Sequence, residues 1–228
     1  MAALGYDRYA VHETDVGGGV ASLLPMVDRE HVLGIHIAGT VAAMPFGPPL
    51  AYDGLSPRDR VRAERFNEMR ETGIGYLHLQ ATRPMTLAHA LNDSPAGQLA
   101  WIVDRFRAGI DPAAERLTGA VDIDQLPTNV ALYWFTGSGA SSANAVYEGM
   151  HAWRQMAGAE PDVGRSESAP LRPTAVAVFA GDTTIRSVMD PAGRLDRWSE
   201  FDRGGHFPAM ETPELLAEDL STFFAEIR

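Results

Sequence analysis

Tyr9-Ala-Val-His-Glu13, the turn from Thr14 to Gly19 (Thr-Asp-Val-Gly-Gly-Gly), the apolar run Val20-Ala-Ser-Leu-Leu-Pro-Met-Val27 and Leu33-Gly-Ile-His-Ile-Ala38 together decide the fold. The outer two segments read as short strands. The run from Val20 reads as a helix, interrupted by Pro25. Strand, helix and strand within about 30 residues form a βαβ unit, which implies a parallel sheet.

Working outward, the texture changes at Met44, where Met-Pro-Phe-Gly-Pro-Pro-Leu-Ala-Tyr-Asp-Gly-Leu-Ser-Pro makes a proline-rich exit into a mainly helical region reaching about Trp153. Ser56-Pro57 and Ser94-Pro95 have the N-cap and first-turn chemistry of helix starts. Gly158 to Pro173 is polar and rich in Pro, Gly and Ser. The α/β pattern resumes with Thr174-Ala-Val-Ala-Val-Phe179, the continuous apolar run of a buried parallel strand, ending in Ala180-Gly-Asp182. Arg197 to Asp202 reads as a last strand. Pro213 to Ile227 reads as an amphipathic helix with Leu215, Leu216, Leu220, Phe223 and Phe224 on its buried face. The expected class is α/β: a mostly parallel sheet in a core formed by 1–44 and 154–228, with a helical lobe at 45–153 inserted into it.

The chain has 228 residues and 45% hydrophobic content, enough for one sizeable core or one core plus a lobe. Nineteen Lys and Arg against 30 Asp and Glu, with no basic stripe, leave no footprint for nucleic acid. Cysteine is absent, which removes disulfides and thiol catalysis and fits a cytoplasmic setting. No run approaches the roughly 20 apolar residues of a membrane helix, so no membrane partner is expected. No HExxH or comparable cluster calls for a metal, and no cofactor is expected.

Catalytic groups of open α/β sheets gather beyond the carboxyl ends of the strands. Asp15 follows the first strand, Asp182 the third and His206 the fourth; nucleophile, acid, histidine is the chain order of α/β-hydrolases. Each has an ordinary reading, as helix cap, turn residue or loop histidine. Their joint placement points to catalysis. A carboxylate can open a strained ring by forming an ester, which a histidine then cleaves by activating water, and a second carboxylate orients the imidazole. Gly17-Gly18-Gly19 after a strand loosely suggests a phosphate loop, but the third expected glycine is Ser22 and no acid ends the next strand.

Gly5-Tyr-Asp-Arg-Tyr9, Gly75-Tyr-Leu-His-Leu-Gln-Ala-Thr-Arg-Pro84, Ala90-Leu-Asn-Asp-Ser-Pro-Ala-Gly97, Thr128-Asn-Val-Ala-Leu-Tyr-Trp-Phe-Thr-Gly137 and Arg203-Gly-Gly-His-Phe207, in this order, resemble the microsomal-type epoxide hydrolases over nearly the whole chain. The resemblance implies an α/β-hydrolase that opens a small apolar epoxide to a vicinal diol, in the manner of a detoxifying enzyme. It makes Asp15 the alkylated nucleophile, His206 the base and Asp182 its orienting acid. Tyr76 and Tyr147 match the tyrosines that hydrogen-bond the epoxide oxygen, a role suited to a neutral phenol. Val16 would supply a backbone N–H to the oxyanion. By position near the tyrosines, Leu79, Met85, Trp134 and Phe135 are expected to line the substrate pocket.

Two departures frame the alternatives. The family usually shows Gly-Gly-Asp-Trp-Gly at the nucleophile, whereas this chain has Glu13-Thr-Asp-Val-Gly17, although a sharp turn favours small flanking residues. Met1 falls where the family is already past its first strands and its His-Gly-Trp-Pro loop, so the sequence reads as lacking the N-terminal part. A first strand left as an edge would invite pairing with a second copy. The competing readings are a catalytically impaired hydrolase relic acting in binding or assembly, and a haloalkane dehalogenase-like hydrolase. The latter usually carries a tryptophan where Val16 stands.

Overall fold

In the computed structural model, residues 1–39, 46–158 and 172–227 are described. Met44 and Pro45 at the head of the proline-rich exit, and 159–171 of the polar stretch, lie outside them. The strands are β1 (Tyr9–Thr14), β2 (Val32–Ala38), β3 (Thr174–Val178) and β4 (Arg197–Glu200), and the helices are α1 (Val16–Val27), α2 (Pro57–Glu68), α3 (Gly75–Thr82), α4 (Pro84–Asp93), α5 (Pro95–Gly109), α6 (Leu117–Ala120), α7 (Gln125–Thr136), α8 (Gly139–Gly158), α9 (Arg186–Met189), α10 (Pro208–Glu211) and α11 (Pro213–Glu226). All strand pairs are parallel, in the order β1-β2-β3-β4. Helix α1 begins at Val16 and absorbs Gly17 to Gly19, where local sequence favours a turn; Pro25 lies inside it, two residues before its end. A proline removes one hydrogen bond of the last turn and is tolerated there.

Residues alternate strictly across the sheet, as period-two geometry requires. Val11, Ile35, Ile37, Val176 and Val178 cluster with Ala21 and Leu24 of α1. Ala38, Ala177 and Phe179 cluster with Leu216 and, in part, Leu215 and Leu220 of α11. Both faces are therefore covered, which explains why β3 is apolar throughout. On the α11 face the strands carry Ala and Gly, and the helix comes close. A Cβ at Gly34 would collide with the Ile227 side chain.

That same face holds a polar cluster. His36 in β2 is fully buried; its Nε2 lies 3.0 Å from Asp219 Oδ2 of α11 and its Nδ1 lies 3.0 Å from His12 Nδ1. Asp219 also accepts from Arg197 Nε at 2.9 Å and Ser199 Oγ at 2.6 Å. Burial opposes ionisation of Asp219, but the hydrogen bonds from His36, Ser199 and Arg197 prevail and hold its carboxyl at about 2.

The chain divides into two compact units, one of Met1–Asn67, Gly109–Glu115 and Pro170–Arg228, the other of Glu68–Ala108 and Arg116–Ala169. The sequence reading places all of 45–153 in the lobe. Helix α2 instead packs with the sheet through its arginines: Arg62, buried, pairs with Glu200 at 3.1 Å, Arg58 donates to Phe201 O at 3.0 Å and Arg65 to Ala180 O at 2.6 Å. Ser56 caps this helix, its Oγ accepting Asp59 N–H at 3.1 Å. In the second unit, α3 and α4 pack on α8 around Leu87, Leu91 and Ala143. Asn92 Oδ1 accepts Ala140 N–H at 3.0 Å, tying the end of α4 to the start of α8, and Ser94 Oγ accepts Gly97 N–H at 3.0 Å at the start of α5.

Asp219→Ala removes an acceptor shared by three donors, one of them a buried imidazole, and should cost about 3 kcal/mol in urea unfolding. The carboxyl is held below its ordinary value, so its contribution is full above the ordinary carboxylate range and disappears as pH falls through about 2. Acid titration of unfolding should therefore be flatter in the variant than in the parent protein.

Candidate active site

β1 ends at Thr14 and α1 begins at Val16, which forces the reversal into one residue, Asp15. Its φ of 51° and ψ of −123° make it the only non-glycine residue with positive φ among those described. Such a conformation costs on the order of 1–3 kcal/mol and marks a side chain held out at the top of a strand–turn–helix. Glu13 and Thr14 are larger than the flanking residues that such a turn favours. The turn forms with both in place, the Glu13 carboxylate lying in the space that a Cβ on Gly17 would enter. Gly18 faces Ile37 of β2, where a Cβ would lie 3.2 Å from Ile37 Cγ2.

Asp15 Oδ2 lies 2.7 Å from His206 Nε2. The hydrogen bond from His206 lowers the Asp15 carboxyl against the opposing effect of burial, and the backbone N–H of Val16 also bonds to it. In return Asp15 raises the proton affinity of His206, with further contributions from the charges of Asp182 and Glu211. The Val16 side chain is exposed. Its N–H is directed at the Asp15 carboxylate.

Asp182 follows β3 in a tight turn and is 4% exposed. Its Oδ2 accepts Phe179 N–H at 2.8 Å. Burial pushes its carboxyl up to about 7, against the pull of that N–H and of the charges on His206 and Arg62. The first unit thus gathers Asp15, Asp182 and His206 beyond the carboxyl ends of β1, β3 and β4.

Tyr76 on α3 and Tyr147 on α8 belong to the second unit, on helices that pack together. The Arg105 guanidinium lies 4.1 Å from the centre of the Tyr76 ring, and Tyr147 lies 4.1 Å from His151 one turn along α8. Tyr147 and Met85 line a groove of about 340 Å³ together with Arg83, Pro84, Thr86 and Asn144. The other expected lining residues do not border this groove. Leu79 packs against the α4–α8 cluster. Trp134 is half-buried on α7, and Phe135 points to solvent at 85% exposure because α7 buries the opposite side through Leu126 and Val130.

Glu211 is a functional candidate that the sequence does not single out, since it falls between the His206 loop and the helix from Pro213. An acid five residues beyond the histidine, at the end of a helix opened by Pro208, was the available signal. Its burial raises its carboxyl.

For Asp182, raised above the ordinary value, the stabilising neutral form is complete below the ordinary carboxylate range and is lost as pH rises through about 7. Asp182→Asn should leave the melting temperature unchanged near pH 4 and raise it at pH 8 by about 2–8 °C, the equivalent of about 1–2 kcal/mol. Differential scanning calorimetry at the two pH values checks this.

No protein-family profile matches the chain. It is similar to a provisionally named epoxide hydrolase of Stigmatella aurantiaca, 32% identical over 231 residues that span all of this chain and 49% of that protein. It is 30% identical to Epoxide hydrolase 1 of Sus scrofa, over 98% of this chain and 52% of the other. Its fold is similar to that of the juvenile hormone epoxide hydrolase of Bombyx mori, with a TM-score of 0.77 and 26% identity, covering 100% of this chain and 57% of that one. The chain spans about half the length of the relatives it matches. With its parallel sheet, strained Asp15 turn and paired histidine, the chain is a homologue of the epoxide hydrolases and has the α/β-hydrolase fold.

Proposed function

We propose that the chain carries the hydrolytic centre of an epoxide hydrolase working through an ester on Asp15. The observation that carries this reading is a carboxylate on a strained strand–helix turn, 2.7 Å from an imidazole. Asp15 attacks an epoxide carbon and the C–O bond breaks. The phenols of Tyr76 and Tyr147 hydrogen-bond the oxygen and supply its proton, leaving a hydroxyalkyl ester. Alkylation removes the Asp15 charge that raises the proton affinity of His206. The imidazole then releases its proton to solvent, which returns one to the phenolate, and becomes a neutral base.

Neutral His206 takes a proton from water as the water oxygen attacks the ester carbonyl, and the Val16 N–H stabilises the oxyanion. Collapse breaks the acyl C–O bond, releases the diol and restores the carboxylate. Asp182 orients and offsets the imidazolium. The substrate class is a small apolar epoxide, consistent with Met85 and Pro84 beside Tyr147 in the groove.

The same reading includes self-association. Among the described residues β1 is paired on one side only, and next to it α1 exposes Val16, Val20, Leu23 and Val27 at helical spacing. A second copy would cover that edge and stripe. Light scattering should give twice the mass of one chain, and a monodisperse monomer would remove this part.

Asp15→Ala should abolish turnover of styrene oxide, with a loss of at least about 10³-fold. His206→Gln should instead accumulate the ester, seen by mass spectrometry as the mass of the epoxide added to the peptide containing Asp15. Folded parent protein that neither turns over an epoxide nor forms the ester would sink the reading in favour of a non-catalytic relic.

A further inference from the structure

We infer that Glu211 is a positioning residue for His206, fixing the histidine loop by its backbone and adding negative charge behind the imidazole. The inference rests on His206 acting as the base. Four consecutive N–H groups, from Gly204 to Phe207, are all occupied. Gly204 N–H donates to Asp111 Oδ2 at 2.6 Å and His206 N–H to Gly109 O at 2.7 Å. Phe207 N–H donates to Glu211 Oε1 at 3.1 Å, and Gly205 N–H also bonds to the Glu211 carboxylate. Glu211 Oε2 accepts Asp111 N–H at 2.7 Å, so one carboxylate joins the loop to the segment after α5.

The backbones here are in close contact. A Cβ at Gly205 would lie 2.6 Å from Asp111 N, and one at Gly181 would lie 2.9 Å from the Gly205 Cα. Two carboxylates from outside the loop, those of Asp111 and Glu211, take three of its backbone N–H groups. Glu211 spends its oxygens on backbone N–H groups, none of which belongs to a reacting residue's side chain. Its action on chemistry therefore passes through His206, which it affects by placement and by charge. The charged groups facing His206 are Asp15 at the start of α1, Asp182 after β3 and Glu211 on α10. Asp111 faces Glu211, and Arg62 of α2 faces Asp182.

Glu211→Gln keeps the size and removes the charge and one acceptor. With ¹³C-labelled histidine, the His206 midpoint followed by NMR should fall by about half a pH unit. In single-turnover reactions with styrene oxide, decay of the Asp15 ester should slow about tenfold, while its formation changes less than about twofold. A residue needed only for folding would lower the melting temperature and leave midpoint and ester decay unmoved; that result overturns the inference. Should the Gln variant fail to fold, Glu211→Asp carries the test by keeping charge and losing reach. Slowed ester decay with an unmoved midpoint is then expected, and parent-like decay overturns the inference. Parent protein that forms no ester strikes the epoxide hydrolase reading instead, and the NMR midpoint still decides the role of Glu211.

Discussion

One row of residues runs straight across the sheet, Thr14 beside Ala38, Ala38 beside Ala177 and Ala177 beside Ser199. Parallel pairing sends every strand out at the same edge, and this row fixes how far each has travelled when it gets there. Asp15 leaves the sheet one residue beyond the row, Asp182 five residues beyond it and His206 seven. A slip of one residue in β1 would turn Val11 and His12 to opposite faces and swing Asp15 away from the imidazole. The apolar filling on the α1 side guards against that slip, because Val11, Ile35, Ile37, Val176 and Val178 must all face the same helix. The packing of the interior thus sets the geometry of the site.

Two of the histidine–aspartate pairs among the described residues, His36 with Asp219 and His206 with Asp15, differ in what surrounds them. His36 and Asp219 are 0% and 3% exposed at the side chain, and Asp219 is saturated by Arg197 and Ser199. Such a pair has no vacancy for a substrate and acts as a joint between strands and α11. His206 and Asp15 are 29% and 59% exposed, and the aspartate has backbone strain but few partners. Chemistry needs the second arrangement: a charge with accessible lone pairs, held by geometry instead of by a full set of hydrogen bonds. The buried carboxylate of Asp182 sits between these cases, its ionisation balanced against burial by neighbouring positive charge.

Much of this was legible in the chain. The βαβ unit, the order Asp15, Asp182, His206, and the capping serines Ser56 and Ser94 all rest on local signals that the surroundings reinforce. The start of α1 was less so, since three glycines read as a loop until the sheet and the close approach of Ile37 to Gly18 pull them into a helix. Helix α2 reads as lobe because it follows the proline-rich exit and opens the helical region; the positions of Glu200, Phe201 and Ala180 give its arginines partners at the sheet. Phe135 looks like pocket lining by its proximity in sequence to a matched motif, but the rotation of α7 is set by Leu126 and Val130. Asp219 and Glu211 show the same limit from the other direction. An acid on an amphipathic helix or after a loop has no visible purpose until the distant group it serves is known.

The bond between His36 and Asp219 joins residues 183 positions apart. Until α11 arrives, β2 carries a buried-to-be imidazole with no carboxylate to receive its proton, and Gly34 leaves a gap meant for Ile227. Contacts of this span slow folding because a long loop must be ordered before they form. During synthesis this face of the sheet would wait, incompletely covered, until α11 has emerged, so α11 governs how long the apolar strands stay open to other chains.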